Sequence, residues 1–339
     1  MTTEHSPPLK ADLVLSGGGV KGIGLAGAVV ALMEAGYGIQ RVSGTSAGSI
    51  VGAILAAGAD QLTPGQVEQL TMTLPYRKFL DPTPLTGIPL LGPAWGLLSE
   101  TGIYKGDFAH QWIRSELDNL GVRTFGDLAL DNENLPPEQR YRLVVTVSDV
   151  TTGQLVRLPW DYHRLYGVDP DEQEVADAVR ASMSIPFFFR VAKLTSASGL
   201  TSTLVDGGLL SNFPIDSFDR RDGKRPRWPT FGVTLLPNLP EGNDKVIPAL
   251  RPVNWVFGGP PLLEELITTM IVGRDQAYLN QPWVSARAIR VDSTEVSFLD
   301  FKLSKRQMQA LYQRGHEAAE AFLSTWNWTE YLERYRRPA

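Results

Sequence analysis

The chain has 339 residues, 43% of them hydrophobic and 20% charged, with a formal net charge of -5; that is apolar material enough for one large α/β domain, and no basic face for nucleic acid. Its short basic clusters, Lys224-Arg225-Pro226-Arg227 and Arg334 with Arg336-Arg337, read as solvated surface. Cysteine is absent, which excludes disulfides, thiolate metal sites and a cysteine nucleophile, and the four histidines (His5, His110, His163, His316) lack metal-ligand spacing, so no cofactor or metal is expected.

Residues 1–10 read as a disordered lead without the charged-then-apolar pattern of a signal peptide. Residues 11–15 read as an apolar strand, followed by a glycine loop at 16–22 and a helix at 23–35 that Gly36 closes. The apolar run at 22–33 is too short to cross a bilayer, which needs about 20 residues. A cytoplasmic protein is expected, at most peripheral to a membrane. A second short strand at 39–43 runs into Gly44-Thr45-Ser46-Ala47-Gly48, and a small-residue helix at 47–57 follows. Two successive strand–glycine turn–helix units predict βαβ packing and a largely parallel sheet.

Residues 74–105 carry Pro75, Pro82, Pro84, Pro89 and Pro93 among Leu, Ile and Trp95, a density of proline that excludes a long helix. This segment is either a lid over the substrate or a loop tucked onto the core. Further strands are predicted at 141–147, 154–158, 204–205, 230–236 and 286–291, and helices at 173–182, 262–279 and 304–323. The helix at 262 has a core-facing stripe at Leu262, Leu263, Leu266, Ile267, Met270 and Ile271. Loops are predicted at 131–140, 195–203, 219–229 and 237–261. None separates two cores, so a single domain over 11–325 with a tail at 326–339 is expected.

Gly44-Thr45-Ser46-Ala47-Gly48 fits G-x-S-x-G, the sharp strand-to-helix turn that exposes a nucleophilic serine. The flanking Gly44 and Gly48 are required because side chains would collide in so tight a turn. Ser46 then stands at a helix N-terminus, whose dipole favours developing negative charge. A serine before a helix is otherwise an ordinary N-cap.

Gly17-Gly18-Gly19-Val20-Lys21-Gly22 fits the dinucleotide fingerprint G-x-G-x-x-G. That reading needs an acidic residue on the next strand, which offers Ile39, Gln40, Arg41 and Val42 and then runs at once into the serine turn. The alternative is an oxyanion hole, in which the glycines of loop 17–19 bring backbone N–H groups to a ligand oxygen. Two glycine turns 27 residues apart on adjacent strands would set donors beside nucleophile, which favours the second reading. Lys21 either supports an anionic intermediate or pairs with a surface carboxylate, and Gly22 opens a close-packed helix face.

Ser46 needs a base. Ser46, Asp206 and His316 satisfy the order of a hydrolase triad, but His316 falls inside a periodic helix, and His163 lies in a polar loop. Asp206 ends a strand in Leu204-Val205-Asp206-Gly207-Gly208, where the glycines allow a second chain to approach. An aspartate is a weak base, near pKa 3.9 in water, unless burial raises it. Aspartate before glycine is also a common turn.

The ordered set 17–22, 44–48 and Asp206-Gly207-Gly208 resembles the patatin-like phospholipase family. Two further stretches share the resemblance, Val147-Ser148-Asp149-Val150-Thr151-Thr152-Gly153 and Val179-Arg180-Ala181-Ser182-Met183-Ser184-Ile185-Pro186, as does Leu299-Asp300-Phe301 with the helix after it. The resemblance implies a three-layer α/β/α sandwich around a mostly parallel sheet and hydrolysis of acyl esters from glycerolipids at a membrane or micelle surface. It implies Ser46 as nucleophile, Asp206 as base and oxyanion donors from Gly18 and Gly19. Gly208 stands where many relatives have alanine. An acyltransferase using the same acyl-enzyme, or a triad esterase of another fold, is the alternative function.

Overall fold

A computed structural model describes residues 9–59, 61–81, 102–132, 135–235, 278–296 and 300–336. Most of the proline-rich segment 74–105, expected as a lid or a tucked loop, and most of the predicted helix at 262–279, lie outside the described residues.

The sheet grows from β1 (Leu9–Leu15), which already starts at Leu9, inside the expected lead. It is followed by α1 (Gly22–Glu34), β2 (Tyr37–Thr45), α2 (Ala47–Ala57) and α3 (Pro64–Met72). Sequence reading passed over α3, although Thr63 and Gln66 form a capping box with Pro64 at the first helical position. Then come β3 (Gly102–Tyr104), α4 (Asp107–Asn119), β4 (Leu143–Asp149) and β5 (Gln154–Leu158). Next are α5 (Val175–Ser182), β6 (Phe187–Phe189), β7 (Ala192–Thr195) and β8 (Thr201–Asp206). The described chain closes with β9 (Thr230–Thr234), α6 (Pro282–Ser285), β10 (Ala288–Arg290), α7 (Lys305–Leu323) and α8 (Trp328–Tyr335).

The main sheet runs β10-β9-β1-β2-β4-β8-β7, with β5 also paired to β4. Strands β10, β9, β1, β2 and β4 are parallel, while β8 and β5 run antiparallel to β4. Side chains alternate across it. Leu13 and Leu15 enter the larger core with α1 and α2, whereas Val14 and Val144 meet Phe213, Ile215, Phe218, Leu279 and Val284 on the other face. The fold is a three-layer α/β/α sandwich.

Two sequence expectations change. The expected loop 195–203 instead holds the end of β7, the turn of the β7–β8 hairpin and the start of β8, and β7 is half-exposed with no long apolar run. The stretch read as a tail instead carries α8, with Tyr331 buried and Trp326 ringed by Phe231, Phe322 and Tyr331.

Helix α1 packs on α7 at backbone contact. A Cβ on Gly315 would lie 1.9 Å from Gly24 O, and one on Gly27 would lie 2.0 Å from Tyr312 O. The small residues of α1 therefore make a helix-packing face.

Candidate active site

The parallel strands β1, β2 and β4 deliver their carboxyl ends to one edge of the sheet, where ligands bind in open α/β folds. Ser46 follows β2 directly. Its backbone is at φ 50, ψ -121, a left-handed conformation that a serine occupies only under constraint. The glycines explain the constraint: a Cβ on Gly44 would lie 2.3 Å from Gly48 O, and one on Gly48 2.3 Å from Leu15 O. The turn closes only with hydrogen at both positions.

Asp206 reaches the same edge from the neighbouring antiparallel strand, since Val147 pairs with Asp206 and Thr146 with Thr45. Gly207 fits because a Cβ there would lie 2.3 Å from Thr146 O. Asp206 Oδ1 accepts the Gly208 N–H at 2.7 Å. Asp206 Oδ2 is buried without a hydrogen-bond partner among the described residues. Burial raises the carboxyl pKa to about 6, against the opposing pull of the Ser46 hydroxyl and the Gly208 N–H. The carboxylate is thus at once buried and under-solvated, with the Ser46 hydroxyl near enough to lower its pKa.

The glycine loop lies against both residues. A Cβ on Gly17 would lie 3.0 Å from Ser46 Cβ and 2.3 Å from Asn212 Oδ1. The Gly17 N–H is already donated to Asn212 O at 3.3 Å, which removes Gly17 from the expected donor set. The Gly18 and Gly19 N–H groups make no hydrogen bond among the described residues, and Gly19 has φ 56, where glycine is favoured. Lys21 is buried rather than at the surface. Burial depresses its ammonium to about 8, partly offset by the charge of Asp292. Gly22 meets Ala47, its would-be Cβ 3.1 Å from Ala47 Cβ, so the two helix starts stand side by side.

Two contributors were missed in the sequence. Ser182, at the end of α5, accepts the Ser46 N–H at 2.8 Å and donates to Thr146 O at 2.7 Å. Two residues on, Ser184 O accepts the Asp206 N–H at 2.9 Å. The 182–184 segment therefore holds the backbones of Ser46 and Asp206 together. Arg180 braces it, donating to Ser184 Oγ (2.7 Å) and to the carbonyls of Lys105, Gly106 and Arg190. Its signal was the stretch 179–186, read only as a resemblance. Asn212 is the second, with Nδ2 donating to Gly17 O at 3.4 Å. The stretch 147–153 carries the end of β4 into a turn, in which Asp149 Oδ1 accepts from Thr151 N (2.9 Å) and Thr152 N (3.1 Å).

No described histidine hydrogen-bonds to Ser46 or Asp206. His316 Nε2 is 2.8 Å from Glu34 Oε2 at the α1–α7 packing, and His110 Nε2 is 2.6 Å from Asp177 Oδ1. The triad order read in the sequence is not a cluster in space. Among the described residues, no group of three or more His, Asp or Glu is arranged to hold a metal ion, and no helix is long and apolar enough to cross a membrane.

A sequence model of the patatin-like phospholipases matches residues 13–219, the span from β1 through Ser46 and Asp206 to just beyond Asn212. The chain belongs to the patatin-like phospholipase family. It is 37% identical over 318 residues to protein YqhO of Bacillus subtilis (strain 168), covering 94% of this chain and 99% of that one. It is 27% identical over 319 residues to the NTE family protein MT2641 of Mycobacterium tuberculosis (strain CDC 1551 / Oshkosh), of whose length it spans 46%. Among solved structures, VipD from Legionella pneumophila has the same fold, with a TM-score of 0.50 at 18% identity, covering 96% of this chain and 72% of that one.

Proposed function

We propose that the protein hydrolyses acyl esters of lipids through a Ser46–Asp206 dyad. The observation that carries the reading is the buried Asp206 carboxyl beside the Ser46 hydroxyl, its pKa raised to about 6. At neutral pH it is ionised, yet basic enough to take a proton as the serine attacks.

In the first half-reaction Ser46 Oγ bonds to the ester carbonyl carbon and its proton passes to Asp206. The oxyanion that forms accepts hydrogen bonds from Gly18 and Gly19 N–H, each such donor typically contributing about 2.7–4 kcal/mol in the transition state. Collapse breaks the bond to the alkoxy oxygen, and the alcohol leaves with the proton from Asp206. In the second, water attacks the acyl-enzyme and gives its proton to Asp206. The fatty acid leaves as Ser46 recovers the proton. No imidazolium forms, so no third residue is needed to stabilise one. The substrate class is a glycerolipid presented at a membrane or micelle surface.

Ser46→Ala and Asp206→Asn proteins, shown to be folded by circular dichroism, should lose at least a hundredfold in kcat on a nitrophenyl acyl ester, since a general base alone contributes about 10²–10⁴. Activity within tenfold of wild type in either variant overturns the dyad. Loss of activity in a folded His316→Ala variant would favour a triad instead.

A further inference from the structure

The protein has a concave site at the end of its sheet away from Ser46. A cleft of about 1210 Å³ is lined by Asp12 on β1, Gln40 and Arg41 on β2, Thr230 at the start of β9 and Arg142 just before β4. Asp12 pairs with Thr230 and Val42 with Leu143, and Thr230 and Leu143 are the first residues of their strands. Arg41 and Ser46 are separated along β2 by roughly 17 Å of extended chain. The cleft therefore lies at the amino ends of the strands whose carboxyl ends carry Ser46.

Its chemistry is opposite to that of the protein as a whole. The chain carries a net charge of -5, yet eight arginines line the cleft against five carboxylates. Four of those carboxylates are already neutralised. Asp12 pairs with Arg41, Asp161 with Arg164, and Asp222 with Arg220, while Asp219 is held by Arg287 and Arg336. Arg157, Arg221 and Arg227 line the same cleft and form no ion pair with any described residue. Arg157 is half-buried on β5, held by its strand between Leu155 and Trp160 in the wall. Arg157 Nε is buried and has no hydrogen-bond partner among the described residues, a donor that the oxygen of an anion would satisfy. Arg227 belongs to the basic cluster at 224–227 that the sequence offered only as solvated surface. The wall also presents Trp160, Phe218 and Trp228, flat apolar surface between the charges.

We propose that this cleft binds a small soluble organic anion bearing two or more phosphate groups, with Arg157, Arg221 and Arg227 as its ligands. Guanidinium forks match phosphate oxygens two at a time, and several converging forks select multiply charged anions over single ones. The same charge could face phosphorylated lipid headgroups. The geometry disfavours that source, because a membrane seated on the cleft would turn the Ser46 edge away from the same membrane. The site is independent of the ester chemistry, and its test reads binding, so failure of one leaves the other intact.

The test is calorimetric titration of the full chain with ATP and with inositol hexakisphosphate, with inorganic phosphate as the single-charge comparison. We expect one-to-one binding of at least one polyphosphate, tighter at 50 mM than at 200 mM salt, and at least tenfold weaker binding of inorganic phosphate. Arg157→Ala/Arg227→Ala should weaken the polyphosphate at least tenfold while ester hydrolysis and the melting temperature stay near wild type. Arg157→Lys/Arg227→Lys, which keeps the charge, should recover part of the affinity. No heat with either polyphosphate at millimolar concentration overturns the proposal, as does equal binding by wild type and a folded alanine variant. Binding confined to vesicles containing phosphatidylserine, and lost in the alanine variant, replaces the soluble ligand with a membrane surface.

Discussion

Ser182 Oγ stands 2.8 Å from the backbone nitrogen of Ser46 and accepts its N–H, so the strained nucleophile turn is held by a side chain 136 residues away in sequence. The same hydroxyl donates to Thr146 O on the strand between Ser46 and Asp206. Ser182→Ala removes both bonds and leaves a buried N–H and a buried carbonyl without partners. The expected stability loss is about 1–3 kcal/mol. The expected loss in kcat is larger than that in KM, because the turn would relax away from Asp206. Ser182→Thr, which keeps the hydroxyl, should retain more activity than Ser182→Ala; equal activity of the two would mean that the hydrogen bond does not position Ser46.

Asp206 sets a pH dependence. Its carboxyl must be ionised to act as a base, so the rate on a neutral ester should rise as pH increases through about 6 and reach a plateau above it. A rate that is flat between pH 5 and pH 7 would remove Asp206 from the proton transfer.

The same shift acts on stability with the opposite sense. The folded pKa is about 6 against the ordinary carboxyl value of 3.8, so the native state binds the extra proton between those values. Stability therefore falls as pH rises through that window, by about 3 kcal/mol at about 1.4 kcal/mol per pH unit. Asp206→Asn removes the buried charge and should raise the melting temperature at pH 7 while abolishing activity. Denaturant melts of both proteins at pH 4 and pH 7 test the sign: the gap between them should be wider at pH 7.

Asp12 and Arg41 form a buried pair across β1 and β2, with Arg41 Nε 3.2 Å from Asp12 Oδ1. Burial pushes the Asp12 carboxyl up despite the guanidinium beside it. Arg41→Ala strands that carboxyl and should cost about 3–5 kcal/mol in a urea melt, whereas an Asp12→Leu/Arg41→Met double variant should cost much less.

Gly315→Ala tests the α1–α7 contact. The new methyl meets Gly24 O at 1.9 Å, and both partners are backbone. The helices must separate, at a cost of about 1–3 kcal/mol. Because α1 begins at Gly22, directly after the glycine loop, activity should fall in parallel with stability.

Much of the site was legible because its residues are locally demanding. Gly44 and Gly48 flank Ser46 because no side chain fits the turn, and such a requirement is written into the residue itself. Helix α2 and strand β5 carry their boundaries in composition, and both fall where the sequence puts them. The half-exposed β7 and the aromatic α8 had no such signature. Strand β7 exists because β8 offers it an edge, and α8 has Tyr331 buried beside Trp326.

The sequence by itself determined the α/β class, the serine turn, the glycine loop and the candidacy of Asp206, since each depends on steric or periodic constraints within a few residues. Only the tertiary structure decided how they act on one another. It committed the Gly17 N–H to Asn212, left His110 and His316 in other pairings, buried Lys21, and joined Ser46 to Asp206 through Ser182 and Ser184. It also gathered arginines from separated segments into one cleft. These are relations between residues far apart in the chain, and hydrogen bonds and desolvation exist only once folding has brought both partners together and removed the water.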